Sequence, residues 1–531
     1  MHLPKTILFF TMKKLFILLL IAHALIAQNV PFIMEHPVYH FLERSESRGL
    51  IRTENWSTRP YTLTQINEML DEIAEHSADL SSKDLKLLNR FQLELNRDFQ
   101  KEGITFPWSE STLKRLTHPS KQTVKPFFMT YRQGDSKGWI NWSETFRVQN
   151  NGHTSRGYHT DHLDISGSKG AIAFTTQYHF HRITRNDEFS EIPSTYKEGL
   201  LLDREYMKWI NWGYPTSSLI FNHDDFDIGI HRQPIYWGYS KTNSPILSDN
   251  VYPLPQVQWK TEIRHLRFMF LHARLSPNTA LITDTLNDRR NLSAHRVEFD
   301  INPNFEFAFN EMVIYAYRDF ELGYLNPVNF LFAEEQTQGD LDNKLMAIDF
   351  KWRVHTGLTT YGSWFFDELD FWKLFSGWWG NKFVFQLGAT YYPHSNLPSI
   401  NFEYTAARPW TYSHSNTVNS YTSAGRLLGL KDGPNTESFL LRLEWLVNPY
   451  FYITGDYKYL KRGDDPGANA LLSYDERVIS DEVEDSHFLS GSIDRTTFTS
   501  ISLHYYLANT ISLNANLIND DIIEIGMKID W

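Results

Sequence analysis

The chain has 531 residues, a formal net charge of -12 and no cysteine. The acidic balance argues against nucleic acid as a partner, and the missing cysteines exclude both a disulfide framework and a lipid-modified N-terminal cysteine. Nowhere after Ala27 is there an apolar run long enough for a membrane helix, so if this chain crosses a bilayer it must do so with strands.

In chain order, Lys13 and Lys14 precede an apolar run from Leu15 to Leu20 that continues to Ala27. That pattern predicts a signal peptide over residues 1–27 with cleavage before Gln28, and its removal takes Lys5, Lys13 and Lys14 and leaves the exported chain more acidic. Residues 28–120 read as a small helical module. Pro37 sits at a helix start and Gly49 at its stop. Thr62 and Gln65 make a capping box ahead of Ile66, Met69, Leu70 and Ile73, which repeat at helical spacing. Ser81 opens a third segment whose apolar side carries Leu85, Leu88, Phe91 and Leu95. Three amphipathic helices of this size must bury their stripes against one another or against something larger.

From Phe127 onward the hydrophobic period changes to two, and residues 121–531 read as one sheet. Ile172, Phe174, Tyr178 and Phe180 alternate with polar positions, as do Phe383, Phe385, Leu387 and Tyr391, and Thr497 to Leu507 before a turn at Asn509. Segments of about ten residues with one apolar and one polar face suit a wall between lipid and a polar lumen, and the length available predicts a large antiparallel transmembrane β-barrel of about 16 to 18 strands. At the C-terminus, Ile523, Ile525, Met527, Ile529 and Trp531 alternate strictly with Glu524, Gly526, Lys528 and Asp530. This resembles the terminal strand by which outer-membrane barrels engage the barrel assembly machinery. The fold class is therefore mainly β, a barrel in the cell outer membrane and its lipid, with the helical bundle in front of it.

Few motifs suggest chemistry. Gly134-Asp135-Ser136-Lys137-Gly138 has nucleophile-elbow spacing, but Trp139 to Val148 read as a strand where that motif needs a helix, so a hairpin turn is expected. His159, Asp161, His162 and Asp164, read as a turn, and Asp464, Asp465, Asp481, Glu482, Glu484 and Asp485, in a polar loop, lack recognised ligand spacing. No metal, no cofactor and no catalytic residue is expected. Tyr361 to Trp379 is dense in rings and reads as an interfacial girdle or as a ligand platform. The stretch from Arg408 to Tyr421 interleaves rings with planar polar groups: Arg408, Trp410, Tyr412, His414 and Asn416. That mixture suits glycan contact, since sugars offer C–H faces to rings and hydroxyls to planar partners, and it suits an interface belt as well.

The order of features resembles the Wzi-like capsule assembly family. Phe41-Leu42-Glu43-Arg44, Arg59-Pro60-Tyr61, Trp237-Gly238 with Ser248-Asp249-Asn250, Tyr324-Leu325-Asn326-Pro327, Asp342-Asn343, Asp349 and Glu403-Tyr404 carry the likeness, with Tyr239 standing where a proline is expected. The resemblance implies a non-enzymatic, lectin-like barrel that attaches or organises capsular or other surface polysaccharide, with the helical bundle in the periplasm, and it adds Trp237 to the candidate contacts. A channel, a surface-motility-associated barrel and an outer-membrane hydrolase are the alternatives. A channel predicts an open lumen; a lectin predicts a filled one.

Overall fold

The computed structural model describes residues 30–51, 57–97, 99–107, 127–184, 209–223, 226–278, 289–374, 377–394, 397–477, 488–508, 510–519 and 521–531. The expected leader lies outside them. Three helices come first: α1 (Val38–Ser47), α2 (Leu63–Glu75) and α3 (Ser82–Leu95). At α2 the capping box forms, with Gln65 N–H donating to Thr62 Oγ1 at 3.3 Å and Thr62 N–H to Gln65 Oε1 at 2.9 Å, so two end donors are satisfied reciprocally. Ser81 caps α3 by accepting from Asp84 N–H. Leu85, read from the sequence as part of the buried stripe of α3, is exposed, and Leu87 takes its place in the core.

Two short strands, β1 (Gly103–Thr105) and β2 (Met129–Gln133), lead into the wall, so strand pairing begins ahead of the boundary expected at residue 121. The wall follows in chain order: β3 (Ser136–Asn150), β4 (Ser155–Lys169), β5 (Ile172–Thr184), β6 (Trp209–His223), β7 (Phe226–Gln233), β8 (Leu254–Ile263), β9 (Leu266–Leu275), β10 (Arg290–Asn302) and β11 (Phe305–Ala316). It continues with β12 (Asn343–His355), β13 (Leu358–Glu368), β14 (Lys382–Tyr391), β15 (Ser399–Ala407), β16 (Thr436–Asn448), β17 (Phe451–Gly463), β18 (Ile493–Ala508), β19 (Ile511–Ile518) and β20 (Ile522–Asp530). All pairings are antiparallel, and β20 closes the circle on β3 from Ile523↔Asn150 to Asp530↔Ser143, giving an 18-strand barrel. The first part of β3 pairs instead with β2, from Met129↔Ile140 to Gln133↔Ser136.

Alternation sorts the wall into two faces. Trp142, Phe146 and Val148 on β3, Phe174 and Tyr178 on β5, Ile228 and Ile230 on β7 and Ile523 and Ile525 on β20 are exposed on the outside. This apolar exterior is that of a transmembrane barrel. Inward positions are polar over one part of the wall and apolar over another. Arg296 pairs with Asp349 through Nη2–Oδ2 at 2.7 Å and with Glu298, while Arg267 joins Glu298 to Asp300. Such charges are tolerable without water because every member has opposite-charge partners and hydrogen bonds.

The lumen is plugged from both ends. At the end with short turns, the bundle shares one core with the wall: Leu70, Ile73, Leu87 and Phe91 lie with Tyr361 and Leu446. Lys83 Nζ donates to Leu446 O at 2.7 Å, Arg353 Nη1 to Glu46 O at 2.7 Å and Arg48 Nη2 to Pro393 O at 2.8 Å. At the other end, segments 234–253 and 408–435 fold inward, and Ile246, Leu247, Tyr412, Tyr421, Leu428 and Leu430 make a core with Leu292, Phe365 and Val384 of the wall. Tyr236–Trp237 pairs with Thr58–Arg59 of the N-terminal part, so the two plugs touch. The unobstructed lumen that a channel requires is not what these residues build.

One local expectation needs correction, and another divides between two faces. Residues 159–164 form no turn; they lie within β4, where His162 and Asp164 face inward and His159 and Asp161 outward. The ring-dense stretch from Tyr361 divides: Tyr361 and Phe365 point into the core, whereas Phe371 and Trp372 are exposed beyond the end of β13, and Phe375 lies outside the described residues. Inward rings at period two cannot serve as a girdle, because alternation sends them to the lumen.

Candidate functional site

The six sequence candidates do not come together as an exposed platform. Tyr412 is fully buried: its hydroxyl donates to Pro245 O at 2.8 Å and its ring stacks on Tyr421 at 5.5 Å. Trp410 is 4% exposed and its backbone N–H donates to Gly467 O at 2.7 Å. Both have positive φ, 73° at Tyr412 and 64° at Trp410, a region that costs a bulky L-residue about 1 to 2 kcal/mol and is sustained by the packing around them. Trp237 is 2% exposed, and its backbone N–H donates to Leu247 O at 2.9 Å. Arg408 is buried over Phe383 at 5.9 Å, and burial lowers its pKa. Only His414, partly open, and Asn416, exposed, stand at the surface, tied to each other through Asn416 N–H to His414 Nδ1 at 3.1 Å. Neighbouring rings and polar groups look the same locally whether a loop stands out or tucks in; the loop tucks in because the barrel mouth offers it a core.

Sequence reading missed a cavity inside the barrel. Its volume is about 540 Å³, within the usual range for small-ligand sites, and it lies between β3, β5 and β6 on the wall side and segments 31–35 and 249–253 on the plug side. Period two aims His179 and His181 of β5 and Trp212 and Tyr214 of β6 into it, and the register His179↔Tyr214 and His181↔Trp212 sets each pair side by side. The rings stack: His179 on Tyr214 at 4.8 Å and 17°, His181 on Trp212 at 4.9 Å and 14°, with His162 extending the stack at 4.5 Å from His179. Tyr252 of the plug closes on Tyr214 edge-on at 5.7 Å. Arg147 and Arg426 add positive charge and Gln177, Thr216 and Asn250 add planar or hydroxyl partners. Glu35 and Asp249 are the acids lining it, and burial raises the pKa of Glu35, with a hydrogen bond to its own backbone opposing. The side chains of His179 and Tyr214 make no hydrogen bond among the described residues, so their polar atoms are available to the cavity. Ring faces beside unspent donors and acceptors can hold a polyhydroxylated ligand. The sequence signal was present as two inward ring pairs at i, i+2 on neighbouring strands.

Among the described residues, two groups of metal-ligand residue types converge. His40, Glu43 and Glu444 converge, but Lys241 Nζ already pairs with both carboxylates, and Glu144, His159 and Asp161 converge on the outer wall, where Arg182 lies 3.5 Å from Asp161. Asp464 and Asp465 act as turn acceptors, for Ser492 N–H and Gly467 N–H, and Asp481, Glu482, Glu484 and Asp485 lie outside the described residues.

Residues 217–521, more than half of the chain, match the family described as capsule assembly protein Wzi. The chain belongs to that family. Among solved structures it is similar to Wzi of Escherichia coli, an outer-membrane protein involved in group 1 capsule assembly and a carbohydrate-binding β-barrel. The identity is 12%, with 95% of this chain and 99% of that one covered at a TM-score of 0.55. Acinetobacter baumannii OccAB2, at 10% identity, TM-score 0.43 and coverage of 74% and 98%, and Pseudomonas aeruginosa OpdK with vanillate, at 12%, 0.41, 75% and 98%, also align. No curated protein matches the sequence. In this Wzi-family barrel the matched region starts within β6 and includes the inward segments 234–253 and 408–435.

Proposed function

We propose that this chain is an outer-membrane, non-enzymatic barrel that holds or organises capsular or other surface polysaccharide. The bundle faces the periplasm, and the leader over residues 1–27 directs export and is removed. The observation that carries the binding role is the stacked pair His179–Tyr214, whose hydrogen-bonding atoms face a cavity of about 540 Å³. Arg147 and Arg426 share the lining with Glu35 and Asp249, which suits hydroxyl-rich sugars, and His414 and Asn416 are surface positions from which the rim would add contacts. Membership of the capsule assembly family supports the same reading.

The test uses folded, detergent-purified protein and an array of capsular and lipopolysaccharide-derived glycans. Binding should be measurable, and His179→Ala with Tyr214→Ala should weaken it about tenfold or more while heat-modifiable mobility of the barrel stays intact, since a lost stacked ring is worth about 0.5 to 1.5 kcal/mol and hydrogen bonds add to it. Undiminished binding by a folded double variant would remove the cavity from the site. Absence of binding to every glycan would remove the polysaccharide role.

A further inference from the structure

The connection from β11 to β12, residues 317–342, does not stand above the barrel mouth. It carries two short helices, α4 (Leu322–Leu325) and α5 (Leu331–Thr337), and folds back over the outside of the wall. Register shows this. Met312 and Ile314 of β11 belong to the lumen core, so Val313 and Tyr315 point outward, yet both are fully buried with Tyr324 and Leu331 of the connection. Outward polar groups are bonded to it as well: Ser293 Oγ donates to Tyr324 O at 2.6 Å, and Phe332 N–H donates to Glu311 Oε1 at 2.6 Å. Glu335, fully buried, pairs with outward Lys344 at 2.9 Å. Glu311 lies five positions before the strand end at Ala316. At about 3.3 Å per residue the flap therefore reaches roughly 16 Å down the wall.

Its far face is apolar. Leu322 is 81% exposed, Phe330 77%, Val328 71%, Phe320 66% and Leu341 65%. Phe309, two residues beyond Glu311 on the same face of β11, belongs to the lipid-facing exterior, so the flap's lower edge continues that surface. We propose that segment 317–342 is a lipid-contacting flap, seated at the boundary between acyl chains and headgroups on the long-loop side of the bilayer. It shields Ser293 and Glu311, whose exposure to hydrocarbon is costly, and presents Leu322, Val328 and Phe330 in their place. Bilayer lipid is the occupant because the patch is continuous with a surface that lipid already covers.

The chain has no cysteine, so single substitutions carry a nitroxide label without background. Val328→Cys, Phe330→Cys and Leu322→Cys, each checked for heat-modifiable folding, are compared in proteoliposomes with Ile230→Cys on the exterior and His153→Cys in an exposed turn. Collision with oxygen relative to a water-soluble nickel chelate should be several-fold higher at the flap sites than at His153→Cys and similar to Ile230→Cys. Flap sites that match His153→Cys would overturn the proposal. Dipolar broadening between labels that survives lipid dilution would put a second copy on the flap and overturn it equally. Three flap positions keep the test decisive if one variant fails to fold.

Discussion

The backbone N–H of Tyr412 donates to the carboxylate of Asp367, joining the inward rim segment to the inner face of β13. Tyr412 is left-handed at that point, so the bond holds a backbone conformation that its own side chain disfavours. Asp367→Ala should leave a buried donor unsatisfied and cost about 1 to 3 kcal/mol locally. Proteolysis within 408–435 should accelerate while the wall keeps its heat-resistant mobility, and unchanged cleavage would show that packing alone holds the segment.

Tyr412→Ala should be costlier, about 3 to 5 kcal/mol, because it removes a fully buried ring from the upper core. Losing that plug should raise single-barrel conductance in planar bilayers well above that of the parent protein. Tyr412→Phe keeps the ring and loses only the bonds to Pro245 and Leu430, so its conductance should stay near the parental value.

Leu70→Asp places an unpaired charge in the core that α2 shares with Tyr361 and Leu446. It should undock the bundle, at a cost of several kcal/mol, and leave the eighteen-strand pairing of the wall in place. Hydrogen exchange should then rise across α1 to α3 and not across β13 or β16. A parallel rise in the strands would mean that bundle and wall unfold together.

Docking of the bundle should weaken in acid. Burial lowers the pKa of His40 below its ordinary 6.5; Glu444, 3.2 Å away, opposes that shift, and Lys241 and Arg44 reinforce it. A released bundle would protonate His40 more readily than a docked one, so stability is present above about pH 6.5 and is lost as pH falls through the lowered value. Protease release of α1 should therefore increase between neutral pH and about pH 5, and His40→Gln should flatten that part of the profile.

Closure of the wall depends on β20. Removing Ile523 to Trp531 deletes every pairing from Ile523↔Asn150 to Asp530↔Ser143 and should abolish heat-resistant barrel in the membrane fraction. Trp531→Ala is milder, because its backbone N–H to Trp142 O, at 2.8 Å, survives and only the side-chain bond to Glu144 is lost. Equal yields from the truncation and the parent would overturn the terminal-strand assignment.

Local physics made much of this legible. The caps at Thr62 and Ser81 and the alternation from Ile172 and from Ile523 depend on neighbours in sequence, and each forms as expected. What stayed hidden depends on partners far away. The rings at Trp410 and Tyr412 read as surface because nothing nearby announces Pro245, Gly467 or Asp367 as their partners. The cavity is assembled from β5, β6 and residues 31–35, and the turn assigned to residues 159–164 failed because inward and outward polar positions on one strand imitate a loop.

The bundle that is synthesised early finds its burial partners on strands synthesised late. Leu70 meets Tyr361 and Leu446, and the ring of strands is completed only when residues 523–530 reach residues 143–150. Until then the part of the apolar stripes of α1 to α3 that packs on the wall lacks its partner, and contacts so distant in sequence form slowly. The helices can cover most of their stripes on one another early, but the docked state waits for the last strand, so the seating of the bundle reports on whether the ring has closed.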